Sequence, residues 1–167
     1  MLIRQTSIQG MSTKGYFGIG IFDPKNETNV GTLWRSASIL GSSFIFTIGK
    51  RYKKQASDTQ ESWKSIPLYH YTDFDDFYRH LPYSCQLVGI ELDAQSIPVE
   101  RFDHPDRCVY LLGAEDHGLP NHVLARCHHL VQLPGNHSLN VATAGSLMLY
   151  DRYLKDHLIP APSLITE

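Results

Sequence analysis

An α/β domain with a mostly parallel sheet flanked by helices is what this sequence predicts, and three observations predict it. Short apolar runs rich in β-branched and aromatic residues alternate with segments whose apolar residues recur at helical spacing. The runs are apolar almost throughout, as strands covered on both faces are. The chain has 167 residues, 42% hydrophobic and 19% charged, which suits one buried core and does not suit a disordered segment.

The elements follow in order. Residues 1–14 are polar and aperiodic and are expected to be a loose N-terminal extension, with Met11 a second candidate start. Residues 15–160 then form a single domain, and residues 161–167 a C-terminal tail. Residues 15–22, rich in Tyr, Phe and Ile, read as the first strand, stopped by the turn signal Asp23-Pro24. Val30, Leu33, Trp34, Ala37 and Leu40 share one face of a helix over 29–40, with Thr28 or Asn29 to cap its start and Gly41 to end it. Residues 44–48 read as a strand, 50–64 as a polar loop and 66–71 as a short strand. Phe74, Phe77, Tyr78 and Leu81 line a helix over 73–81, with Pro82 just beyond. Strands follow at 85–92 and 108–112, then a short helix over 120–127 with Pro120 in its first turn. A last strand spans 129–133, and the longest helix spans 139–157, closed by Pro160. Neither repeats nor low-complexity tracts divide the chain.

Several function classes find no support. The longest apolar runs are too short to span a bilayer, and the N-terminus has no signal-peptide core. Cys85, Cys108 and Cys127 form no C-x-x-C pair and read as reduced thiols of a cytoplasmic protein. His117 and His122 stand five apart, His128 and His129 are adjacent, and no Cys or His spacing matches a zinc site, so no metal is expected. A phosphate-loop lysine motif and a nucleophile elbow are both missing. Gly18-Ile19-Gly20 falls inside a strand pattern and reads as close packing. A net charge of −2 does not announce nucleic-acid binding, so any such surface must be local. The candidate is Lys50-Arg51-Tyr52-Lys53-Lys54, which reads equally as a solvated loop; Arg35, Arg126 and Arg152 extend it only if the fold gathers them.

In open parallel sheets, ligands collect at the carboxyl ends of strands. Three segments there carry unusual residues. Asn29-Val30-Gly31 leads to Arg35. Leu112-Gly113-Ala114-Glu115-Asp116-His117-Gly118-Leu119 sets a carboxylate and an imidazole between two glycines. Leu133-Pro134-Gly135-Asn136-His137-Ser138-Leu139-Asn140 places Ser138 and Asn140 at a helix start, where free N–H groups take polar ligand atoms. Taken singly, each has a plain structural reading: Ser138 and Asn140 as caps, the glycines as turns, Arg35 as a surface residue.

Taken together, the segments resemble the three motifs of the SPOUT methyltransferases in their TrmH-like (SpoU) branch. The first motif is met by Asn29, Gly31, Arg35 and Ala37; the second by residues 112–119; the third by Leu133-Pro134 and then Ser138-Leu139-Asn140-Val141-Ala142-Thr143-Ala144. The connection carrying His137 is about three residues shorter than the family pattern.

The resemblance implies a C-terminal trefoil knot, a homodimer whose site is completed across the interface, and S-adenosylmethionine as methyl donor. It implies methylation of a ribose 2′-hydroxyl in structured RNA, tRNA more than rRNA. Arg35, Asn29, Ser138 and Asn140 would form the catalytic set. Ile90, Gly113, Glu115, Leu133, Ser138 and Leu139 would hold the cofactor. Two other readings remain open: a knotted RNA-binding module without catalysis, and a base methyltransferase of another SPOUT branch.

Overall fold

The computed structural model describes residues 15–49 and 65–157. The expectations for residues 1–14, the cluster at 50–54, the loop at 50–64 and the tail at 161–167 lie outside the described residues.

Among the described residues, seven strands form one sheet in the order β3-β2-β1-β6-β4-β7-β5, and every pairing is parallel. The strands are β1 (Tyr16–Phe22), β2 (Phe44–Ile48), β3 (Leu68–Tyr71), β4 (Gln86–Ile90), β5 (Ile97–Pro98), β6 (Arg107–Leu112) and β7 (His129–Gln132). The helices are α1 (Glu27–Ile39), α2 (Phe74–Arg79), α3 (Asn121–Leu124) and α4 (Val141–His157).

The period of two along each strand divides the core into two layers. Phe17, Ile19, Ile21, Val88, Tyr110 and Leu112 pack under α1 and α4. Phe46, Leu87, Val109 and Leu111 pack under α2 and α3 with Phe77 and Val123. Gly18 and Gly20 belong to the second face, where a Cβ would come 2.3 Å and 2.5 Å from the rings of Phe44 and Phe46. These glycines let aromatic side chains of β2 lie over β1, the close packing expected of them.

The structure departs from the sequence reading in several places. Helix α1 begins two residues early, because Asn26 rather than Thr28 or Asn29 caps it, accepting the Thr28 N–H at 2.9 Å. Asn29 is thereby free for a longer-range role. The helix expected over 73–81 narrows to α2, capped by Asp73, and the strand expected over 85–92 narrows to β4. The helix expected over 120–127 is the single turn α3. Strand β5 escapes sequence reading: its two residues carry no periodicity, and pairing with Val131 and Gln132 defines it.

The arginines do not gather into one basic surface. Arg152 is 1% exposed and lies between β6 and α4. Arg126 pairs with Asp75 at 2.8 Å and lies over the Tyr78 ring. Arg35 stands alone among the three in facing solvent without a hydrogen-bond or ion-pair partner among the described residues.

Candidate active site at the carboxyl edge of the sheet

Strands β6, β4 and β7 lie side by side, so the loops that follow them open at one edge of the sheet. Between these loops is a cleft of about 360 Å³, within the range of small-molecule sites. Its apolar floor comes from Ile90, Leu112, Leu133, Leu139, Val141 and Ala144. Polar groups at its walls come from Glu91, Glu115, His117, His137 and Ser138. All six residues expected to hold a cofactor border this cleft: Ile90, Gly113, Glu115, Leu133, Ser138 and Leu139.

Two glycines make the cleft wall thin. The loop after β6 doubles back so that Gly118 N–H donates to Ala114 O at 2.9 Å. A Cβ on Gly113 would sit 2.3 Å from the Gly118 carbonyl carbon. Gly118 has φ +64°, and a Cβ there would sit 2.5 Å from Glu91 Oε2. Side chains at either place would force the backbone apart.

Beside the cleft, the three sequence segments are joined by side chains. Asn140 Nδ2 donates to Asn29 Oδ1 at 3.1 Å, and Asn29 Nδ2 donates to Glu115 Oε1 at 2.8 Å. Glu115 Oε2 accepts the Lys25 N–H at 3.1 Å. Asn140 Oδ1 accepts the N–H groups of Ala142 and Thr143, at 3.0 Å and 3.2 Å, and so caps α4. The capping role and the site role of Asn140 are therefore both present. Burial pushes the Glu115 carboxyl up, but the Asn29 amide and nearby backbone N–H groups outweigh it and hold the group below the usual carboxylate range. The carboxylate is thus anionic at neutral pH.

Arg35 is not part of this chain of bonds. It lies six residues past Asn29, about 9 Å along the helix and on another face. Gly31, one turn before it, has open space where a Cβ would stand. Ser138 is exposed at the cleft rim. Among the described residues, no group of three or more His, Cys, Asp or Glu is placed to hold a metal ion.

Sequence reasoning missed Glu91 and Leu92. Their signal was present: an acid directly after the apolar run of β4, at the carboxyl end of a central strand. His137, singled out in the sequence without a role, also borders the cleft.

A parallel α/β domain with a glycine-walled cleft over three adjacent strand ends defines a cofactor-binding domain. Residues 17–150 match the model of the SpoU rRNA methylase family, and the chain belongs to that family. It is 27% identical over 135 residues to the 23S rRNA (guanosine-2′-O-)-methyltransferase RlmB of Acinetobacter baylyi, covering 74% of this chain and 53% of that protein. It is 23% identical over 141 residues to the mouse tRNA (guanosine(18)-2′-O)-methyltransferase TARBP1, covering 79% of this chain and 9% of that one. The chain thus spans about half of the bacterial relative's length and a small part of the mouse protein's. Among solved structures, an AdoMet-bound rRNA methyltransferase from Sinorhizobium meliloti superposes with a TM-score of 0.76 at 26% identity, over 87% of this chain and 58% of that one.

Proposed function

We propose that this protein transfers a methyl group from S-adenosylmethionine to a ribose 2′-hydroxyl of structured RNA, with tRNA ahead of rRNA as substrate. The observation that carries the reading is the hydrogen-bonded series Asn140–Asn29–Glu115, which ties the three family motifs together at the rim of a nucleoside-sized cleft. The cofactor supplies an electrophilic sulfonium methyl. The thin wall at Gly113 and Gly118, the apolar floor and the polar rim fit a molecule with a flat base, a sugar and a charged tail. The trefoil knot belongs to the same reading, as does a cytoplasmic setting, supported by three unpaired cysteines.

A ribose hydroxyl is a poor nucleophile at neutral pH, so charge must be stabilised as its proton leaves. An arginine guanidinium is a phosphate-binding cation and not a general base. The exposed guanidinium of Arg35 binds a substrate phosphate and stabilises negative charge at the 2′ oxygen, and that phosphate or water takes the proton. Asn29 and Asn140 orient polar atoms of the ligands, and Ser138 shapes the rim.

The site is completed by a second copy of the chain. Arg35 lies away from the cleft of its own chain, and the solvent face of α1 and α4 carries Ile39, 71% exposed, with Leu147, Tyr150 and Leu154. Ser36 and Ser146, hydrogen bonded at 2.8 Å, join the two helices beside these residues. Gly31, with open space around it among the described residues, leaves room for close approach. Dilution through the dimer dissociation constant, followed by sedimentation and activity together, tests this: specific activity falls with the dimer, and a fully active monomer overturns it.

The decisive experiment is transfer of labelled methyl groups to separated tRNA and rRNA pools that lack the modification, with wild type and Arg35→Ala. The expected product is a 2′-O-methylated nucleoside from one pool, reduced about a hundredfold or more by the substitution. Label on a base places the chain in the other SPOUT branch. Failure to bind the cofactor at all favours the noncatalytic module.

A further inference from the structure

Three carboxylates among the described residues border the cleft, and they differ in what they have left to offer. Glu115 is filled: it accepts from the Asn29 amide and from backbone N–H groups including that of Lys25. Asp116 is turned to His117, 2.9 Å away. Glu91 accepts the Leu119 N–H at Oε2, 2.8 Å, and the Leu92 N–H at Oε1, 3.1 Å. An ionised carboxylate offers about four lone-pair sites, so each Glu91 oxygen keeps one after its backbone bond among the described residues.

The position of Glu91 is fixed from both sides. Its own N–H donates to Val131 O at 3.0 Å, extending the β4–β7 pairing by one residue. Its carbonyl accepts the Ser96 hydroxyl at 2.9 Å, which anchors the turn that follows. Across the cleft wall, Gly118 lacks the side chain that would displace the carboxylate. The result is a half-buried carboxylate held at the end of a central parallel strand, on the lining of the cleft. In dinucleotide-binding α/β domains an acid at a strand end serves as acceptor for ribose hydroxyls.

We propose that Glu91 is a binding and specificity residue for the sugar of the nucleoside cofactor, accepting hydrogen bonds from its ribose hydroxyls with the lone pairs that the backbone leaves free. This rests on the cofactor reading above. It adds that the cleft selects a ribonucleoside over a deoxyribonucleoside, and that one side chain carries the selection. By holding the Leu119 N–H, the same carboxylate also ties the loop after β4 to the loop after β6, so sugar binding and the shape of the wall are coupled.

The test is calorimetry on the full chain with S-adenosylhomocysteine and its 2′-deoxy and 3′-deoxy counterparts, for wild type, Glu91→Gln and Glu91→Ala. Wild type is expected to bind at least one deoxy ligand about ten- to a hundredfold more weakly than the ribo ligand. Glu91→Ala is expected to bind all three with nearly equal affinity. A residue that only supported the wall would weaken all three ligands together and leave their ratio unchanged, and that result overturns the proposal. So does a wild type that does not discriminate between the sugars. If Glu91→Ala fails to fold, Glu91→Gln carries the test: its amide oxygen still accepts from Leu119, while the loss of charge and of one acceptor reduces the ratio severalfold. A wild type that binds none of the ligands refutes the cofactor reading itself, and Glu91 falls with it. A wild type that binds them, with a ratio insensitive to Glu91, refutes the role of Glu91 alone.

Discussion

The two edges of the sheet carry polar networks of similar size and opposite character. At the amino edge, Arg152 donates to the Tyr110 hydroxyl at 3.0 Å and to Pro105 O at 2.8 Å, and lies 4.3 Å over the Phe17 ring. Its Nε is 3.2 Å from the Asp156 carboxylate, an ion pair without hydrogen-bond alignment. His104 bridges Tyr110 and Asp151 at 2.6 Å and 2.8 Å, and Lys155 closes on Asp151 at 2.7 Å. Burial raises the Tyr110 hydroxyl well above its usual range and the Cys108 thiol to about 11, so both stay protonated. At the carboxyl edge, only Asn29 is buried, while Glu115 and Asn140 meet solvent. The first network uses its hydrogen bonds to hold β6 against α4. The second is open to ligands. Polar density alone does not mark a site; unfilled bonding capacity beside a cleft does.

The sharpest way to break this comparison is Arg152→Met. Removing a buried, paired cation is expected to cost about 3 kcal/mol of stability, a fall of roughly 6–12 °C in Tm for a domain of this size, with ligand affinity of the folded protein unchanged. A variant as stable as wild type would show that the amino-edge network does not hold the fold.

Glu115→Gln is the matching change at the other edge. Cofactor affinity should fall about tenfold, while turnover at saturating cofactor changes little, because the bonds this carboxylate accepts from Asn29 and the Lys25 N–H hold the cleft rim. A large loss of turnover with affinity intact would reverse the assignment.

Acid should separate the two edges further. Burial lowers the pKa of His104 below its ordinary 6.5, and Lys155 and Arg152 oppose its protonation while Asp151 favours it. The unfolded chain therefore binds a proton more readily at this position. Its contribution to stability is complete above about pH 6.5 and is lost as pH falls through the lower folded value. Glu115 is also depressed, from 4.5, so its contribution persists to lower pH before it too is lost. Stability measured by denaturant against pH should decline first through the amino edge, and His104→Gln should flatten that first decline. An unchanged profile in the variant would show that His104 is not the source of the decline.

Gly31→Ala is the smallest change. A helical glycine with open space around it gives up about 0.5–1 kcal/mol relative to alanine, so the variant should be slightly more stable. If Gly31 is reserved for a second copy or for RNA, activity drops as stability rises. Full activity would make the glycine incidental.

Much of the architecture was legible because strands buried on both faces leave a plain mark. All five residues of β2 are buried, and all five are apolar or Thr. Asn29, Glu115 and Asn140 were legible only as motif members, since no local pattern announces a contact across 86 or 111 residues. The burial of Arg152 is not legible in the sequence, because a lone cation on a helix carries no local mark of burial; the Tyr110, Cys108 and Pro105 acceptors that keep it inside come from another part of the chain. Glu91 is marked in the sequence as an acid ending an apolar strand, but its closeness to Gly118 and its bond to the Leu119 N–H arise only when the loop after β6 folds back.

That sequence distance has a kinetic consequence. Contacts between residues so far apart close late, after long loops have been ordered. The first motif waits for α4, near the end of the chain, before its amide finds Asn140. Leu139, Val141 and Ala144, at and just before the start of α4, line the cleft together with the loops after β4 and β6, so a chain in which α4 has not docked lacks part of the cleft wall. Saturating cofactor should raise the unfolding temperature of the whole domain in one step, which makes ligand-dependent melting a direct count of correctly finished molecules in a preparation.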